Sequence, residues 1–99
     1  MRRAEFRHIV RSLLTLLRAE REGRTLSVTE FLRETKIPSA TFYSTVKEAL
    51  VSYGFVEVVT NPRERVVTIK LTDRGRKLAQ CLEEIGIEKD LGLEESGEE

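Results

Sequence analysis

Residues 39–48 gather small hydroxyl side chains around a single cation: Ser39, Ala40, Thr41, Ser44, Thr45, Lys47 and Glu48. In a helix, Thr41, Ser44, Thr45 and Glu48 share one arc, with Lys47 at its margin. Phe42, Tyr43, Val46, Ala49, Leu50 and Tyr53 then fill the opposite, inward arc. Short hydroxyl side chains let a helix come close to a partner and donate to its bases or phosphates. The chemistry is recognition of a polar surface, not bond-making. Downstream, Asn61-Pro62-Arg63-Glu64-Arg65 sets two guanidinium groups at a turn between apolar runs. They suit phosphate contact. They suit equally well the solubilising charges that often protect a hairpin tip.

Catalytic readings find little support. His8 and Cys81 are the only residues of their kinds and stand far apart, so they make neither a metal site nor a nucleophile–base pair. Glu83 and Glu84 are adjacent and point apart on a helix. There is no glycine-rich phosphate loop. The expectation is no enzyme, no metal and no cofactor, with Cys81 a buried, inert hydrophobe and His8 a packed or surface residue.

The 99 residues allow one domain, and 39% hydrophobic with 34% charged residues fits a globular chain. No apolar run approaches the ~20 residues of a membrane span. The charged start, Met-Arg-Arg-Ala-Glu-Phe-Arg-His, does not lead into a secretory segment. A cytoplasmic location is expected. The net charge of zero hides an asymmetry. Residues 1–77 hold 16 Lys and Arg against 9 Asp and Glu, whereas residues 78–99 hold 1 against 8. A basic body with an acidic extension suggests a polyanion-facing surface and a tail that masks it or only solubilises the chain.

The elements that must position these residues follow from period and punctuation. Residues 3–22 read as an amphipathic helix, with Phe6, Ile9, Val10, Leu13, Leu14, Leu16 and Leu17 on one face and a flanking stripe of arginines. Gly23 ends it, and Gly23-Arg24-Thr25-Leu26 is a short connection that pairs as a small strand. Ser27-Val28-Thr29-Glu30 matches a capping box opening a helix to Thr35. Ile37-Pro38 breaks that helix. Ser39 is the natural cap of a third, spanning 39–53, and Gly54 closes it. Residues 55–60 and 65–71 are β-branched and form a hairpin. Thr72-Asp73 caps a last helix with Leu78, Leu82 and Ile85 inward, which Gly86 ends or kinks. The domain spans 1–87, and the acidic residues 88–99 read as a disordered tail. The fold class is α+β, mainly α.

Two motifs carry a family resemblance. The run Ile37-Pro38-Ser39-Ala40-Thr41-Phe42-Tyr43-Ser44-Thr45-Val46-Lys47-Glu48-Ala49-Leu50, followed by Val51-Ser52-Tyr53-Gly54-Phe55-Val56, resembles the recognition helix of the winged helix-turn-helix superfamily, most closely small MarR or PadR-type regulators. Leu71-Thr72-Asp73-Arg74-Gly75-Arg76 is similar to the opening of that family's final helix. The resemblance covers residues 5–85 and implies a three-helix core, a two-stranded wing and a C-terminal helix. It implies double-stranded DNA binding by a transcriptional regulator, with helix 39–53 in the major groove and the wing 55–71 on the backbone or in the minor groove. Ser39, Thr41, Ser44, Thr45 and Lys47 hold groove-facing positions. Ala40 is suited to a thymine methyl and Glu48 to cytosine N4. Asn61, Arg63 and Arg65 stand at the wing tip. The recognition helix has no arginine, which points toward shape readout. A homodimer through terminal helices is also implied. The alternative is a winged-helix module that docks a protein partner without DNA.

Overall fold

The computed structural model describes residues 3–92, with side chains from Glu5 onward. Helix α1 (Arg3–Arg21) runs nearly as its period predicts, with Glu5 in the first turn and Arg18 and Arg21 in the last, each complementing the helix dipole. Its stripe Ile9, Val10, Leu13, Leu14, Leu16 and Leu17 is buried, while Phe6 remains 38% exposed. Strand β1 (Leu26–Ser27) feeds α2 (Val28–Thr35) through the expected capping box: Glu30 N–H donates to Ser27 Oγ at 3.1 Å and Ser27 N–H to Glu30 Oε1 at 2.9 Å.

Helix α3 covers residues 39–52 in three consecutive turns: Ser39–Thr41, a π-helical turn over Phe42–Val46, and Lys47–Ser52. Strands β2 (Val56–Asn61) and β3 (Val66–Leu71) form the hairpin, registered from Val56 opposite Leu71 to Asn61 opposite Val66. β1 adds to the outer side of β3, with Leu26 opposite Ile69, so the antiparallel sheet has three strands in the order β1-β3-β2. Helix α4 (Asp73–Glu84) and the short α5 (Ile87–Leu91) follow. Gly23, Gly54 and Gly86 take positive φ where α1, α3 and α4 end.

The core forms where α1, α2, α3 and the sheet meet. Phe31 and Phe42 are fully buried with ring centroids 5.5 Å apart, beside Leu13, Leu50 and Ile69. Three polar residues are buried among these elements, and two of them find backbone partners. Ser12 Oγ donates to the carbonyl of His8, Thr35 Oγ1 donates to that of Phe31, and Thr15 is buried beside them.

Four expectations fail. Tyr43 and Tyr53 are 58% and 50% exposed, not core. Ile85 is 63% exposed, because Ala79 and Leu82 fill the inner face of α4 instead. Cys81 is exposed, one position off the buried stripe. Residues 87–91 are helical, with Ile87 and Leu91 packed against the core. The remainder of the expected tail, 93–99, lies outside the described residues. Among the described residues no helix is long and apolar enough to cross a membrane.

His8 is half-buried, and burial, then the charges of Arg11 and Arg7, lower its pKa below the ordinary imidazole value. The unfolded chain therefore takes up this proton at a higher pH than the folded one. Stability contributed here is complete above ~6.5 and declines as pH falls through that value. Thermal melts should show the midpoint falling between about pH 7.5 and about pH 5.5, with His8→Gln flattening the decline. An equal slope in the variant would place the titrating group elsewhere.

Candidate nucleic-acid interface

The turn between α2 and α3 sets the angle of α3, and its backbone is held at every step. Lys36 adopts the left-handed conformation, φ 62°, and its N–H donates to Leu32 O at 2.8 Å. Ile37 N–H donates to Thr35 Oγ1 at 3.3 Å, and Arg11 Nη1 donates to Thr35 O at 3.3 Å, tying the turn to α1. Ile37 is buried, and Phe42 N–H donates to Pro38 O at 2.9 Å. Pro38, not Ser39, is the capping residue. No side chain caps α3, and Ser39 lies exposed in its first turn. Proline's fixed φ and extended ψ already present the free amides outward there, which leaves the Ser39 hydroxyl unused by the helix.

Along α3, Phe42, Val46 and Leu50 point inward at a spacing of four. That ladder accompanies the π turn, in which Lys47 N–H reaches back five residues to Phe42 O. Ala40, Ser44, Thr45 and Glu48 are exposed, and Thr41 and Lys47 are half-buried. The hydroxyls are not idle. Ser44 Oγ and Thr45 Oγ1 both donate to Thr41 O, at 3.3 and 3.0 Å. Each keeps lone pairs free to accept, but must leave that carbonyl to donate to an acceptor outside. The Lys47 ammonium lies 5.6 Å from the Tyr43 ring centre.

At the wing tip Asn61 is a builder of the turn. Its Oδ1 accepts from the N–H groups of Arg63 and Glu64, at 3.0 and 3.3 Å, while its carbonyl accepts from Arg65 N–H at 2.8 Å. This is the side-chain mimicry of a backbone turn that Asn favours. Arg65 sits at φ 55° and, like Arg63, is exposed.

The cations divide into two groups. Arg21 pairs with Glu83 at 2.7 Å, Arg24 with Glu22 and Glu34, and Arg76 with Glu20 and Asp73. The first and last of these bonds clamp α4 to the end of α1. They also hold the Glu83 and Glu20 carboxyls below their usual range, through hydrogen bonds from Arg21 and Arg76 respectively. By contrast, among the described residues, Arg33 and Lys36 at the end of α2, Lys47 on α3, and Arg63 and Arg65 on the wing make no ion pair, as is true also of exposed cations elsewhere such as Arg18, Lys70 and Lys77. In chain order, α3 thus follows cations without an ion pair at the end of α2 and precedes others on the hairpin. Arg33 and Lys36 are absent from the sequence expectation, since nothing in their local pattern separates them from surface charge. Among the described residues no cluster of His, Cys, Asp and Glu can hold a metal ion.

A tight junction fixes α3 against α4. Thr72 Oγ1 donates to Gly54 O and accepts from Gly75 N–H at 3.0 Å, and Thr72 N–H donates to Phe55 O at 3.0 Å. Thr72 therefore caps α4, as expected, while also holding the end of α3.

The same fold recurs among solved structures. The chain is similar to AF1382 from Archaeoglobus fulgidus, with a TM-score of 0.71 at 20% identity over 80% of this chain and 84% of that one. It is similar to MepR, a transcription regulator of the Staphylococcus aureus multidrug efflux pump MepA, with a TM-score of 0.68 at 18% identity over 93% of this chain and 65% of MepR. It is also similar to Bordetella bronchiseptica BpsR, whose DNA binding is regulated by 6-hydroxynicotinic acid, with a TM-score of 0.61 at 24% identity over 93% and 73% of the two chains. At such identities the likeness is one of fold. Among curated protein sequences none matches. In sequence, the model of the ArnR1-like winged-helix domain matches residues 1–88, nearly the whole chain. With that match and with the three-stranded winged architecture, this chain belongs to the ArnR1-like winged-helix domain family.

Proposed function

We propose that this protein is a transcriptional regulator that binds double-stranded DNA, with α3 in the major groove and the wing on the backbone or in the minor groove. One observation carries the reading: α3 exposes small and hydroxyl side chains, and the segments before and after it in the chain carry cations, Arg33 and Lys36 on one and Arg63 and Arg65 on the other, that make no ion pair among the described residues. A helix 10–12 Å across fits a groove ~12 Å wide, and cations before and after it in the chain suit the flanking phosphates. Ser39, Ala40, Thr41, Ser44, Thr45, Lys47 and Glu48 face the groove in this arrangement. Asn61 shapes the tip that presents Arg63 and Arg65. That MepR is a transcription regulator and that BpsR binds DNA supports the reading by analogy of fold.

The test is fluorescence anisotropy of a labelled random-sequence duplex at about 50 and about 200 mM salt. Binding at the lower salt that collapses at the higher is expected, since each neutralised phosphate steepens the dependence. No binding at the lower salt overturns the proposal and favours a protein-docking winged helix.

The reading extends to a homodimer. Phe6, Tyr53 and Leu78 border an apolar groove of about 260 Å³ between α1, the end of α3 and α4. Exposed apolar surface of this kind suits a second copy. Sedimentation equilibrium should return twice the 11.4 kDa chain mass, and a monomer at micromolar concentration would remove this part.

The acidic end enters as a mask. Residues 93–99 carry Glu94, Glu95, Glu98 and Glu99 and no cation. Their deletion should raise affinity for the random duplex severalfold at low salt and less at high salt. Equal affinity at both would make the segment a solubiliser. The cut belongs after Gly92, because Ile87 and Leu91 pack on the core.

A further inference from the structure

We infer that Tyr43 is a base-reading residue, packing its ring against a thymine C5-methyl in the major groove. The inference rests on the DNA-binding reading above and names a contact that the residue pattern alone assigns to the core.

The observations are these. Two aromatic residues stand side by side at 42 and 43, and only one can enter the core. Phe42 does so completely, at 0% exposure, and the π turn beginning there leaves Tyr43 58% exposed. Phe42, Val46 and Leu50 point inward at a spacing of four, as they would in an ordinary helix, and the turn over Phe42–Val46 is π-helical. π turns are rare and concentrate at functional positions.

Tyr43 is also held in place, not dangling. Its ring stands edge-on to Phe42 with centroids 5.1 Å apart, and Lys47 Nζ is 5.6 Å from its own centroid. Tyr43, Lys47 and Val51, four residues apart, border a shallow cleft on the outside of α3 together with Glu48 and Ser52, and Val51 is 44% exposed. An apolar wall beside a cation, on the helix that carries the exposed hydroxyls, matches what a T·A pair offers in the major groove. That pair presents one methyl, two acceptors, O4 of thymine and N7 of adenine, and the adenine N6 amino donor between them. Tyr43 supplies a larger apolar contact than Ala40 can on a helix without arginine, and Lys47 supplies charge at the same place.

The test selects duplexes from a random-sequence pool with the full chain, then compares each recovered duplex with one carrying uracil in place of thymine. Uracil lacks only the C5-methyl. The wild type should bind the thymine form about fourfold tighter per contacted methyl, the worth of burying one such group. Tyr43→Phe should keep that preference, and Tyr43→Ala should lose it, both with unchanged melting temperature. Failure of the wild type to bind any duplex overturns the DNA reading and this assignment together. Binding without enrichment of any sequence, or an equal thymine preference in Tyr43→Ala, overturns the assignment alone. Should Tyr43→Ala lower the melting temperature, Tyr43→Ser at the same exposed site replaces it and is judged by the same thymine preference.

Discussion

Gly75→Ala is expected to lower the melting temperature by more than ~10 °C. A Cβ at residue 75 would lie 1.9 Å from the carbonyl oxygen of Phe55 and 2.8 Å from its carbon. These are backbone atoms, and they cannot rotate away. The Phe55 carbonyl is also engaged by Thr72 N–H, and Thr72 in turn holds Gly54. The added methyl must therefore part α4 from the end of α3. In an unhindered helix, replacing Gly by Ala would stabilise by ~1 kcal/mol. Overpacking against a rigid wall costs about 3 kcal/mol or more and decides the sign. At ~4–8 °C per kcal/mol for a domain of this size, the shift is readily seen by calorimetry. Lys77→Ala, an exposed change on the same helix, should move the midpoint little. An unchanged midpoint in Gly75→Ala would mean that α4 leaves Phe55 freely, and that the junction does not orient α3.

Neutralising the wing should weaken DNA binding on every sequence alike. The variant is Arg63→Ala with Arg65→Gly. Glycine is chosen at 65 because that residue sits at φ 55°, so the turn survives while the charge goes. Both guanidiniums are exposed and unpaired, and their loss leaves no buried partner stranded. If each contacts a phosphate, the slope of log affinity against log salt should become shallower by about 1–2 units. The random-duplex affinity at low salt should fall together with it. The thymine preference assigned to Tyr43 should persist, since phosphate contacts position the protein and base contacts specify sequence. An unchanged slope would remove the wing from the interface and leave the arginines as solubilising charges.

Much of the architecture was legible because it is written locally. The apolar period of α1, the Ser27–Glu30 capping box, the break at Ile37-Pro38, the β-branched hairpin and the Thr72 cap each need only a few neighbouring residues. The two motifs that carry the winged-helix resemblance are of this kind, and the family match to residues 1–88 agrees with them.

The misjudged positions have a different character. Tyr43, Tyr53, Ile85 and Cys81 were placed by an ideal 3.6-residue period, which knows nothing of how many apolar residues a small core can hold. Phe31, Phe42, Leu13 and Leu50 fill the centre, while Tyr43 and Tyr53 lie outward. Asn61 is named for the interface, and it does stand at the wing tip, yet its side chain is spent on the turn. Which arginines remain free is likewise a tertiary outcome. Arg21 and Arg76 meet Glu83 and Glu20 only because α1 and α4 lie side by side, across 62 and 56 residues of chain. The amino-acid order by itself determined most of the elements, the caps of α2 and α4 and the basic character of the body, since propensity, capping and charge act over one or two turns. The tertiary structure alone decided which side chains face outward from α3 and which cations stay unpaired, because both depend on contacts between segments distant in sequence.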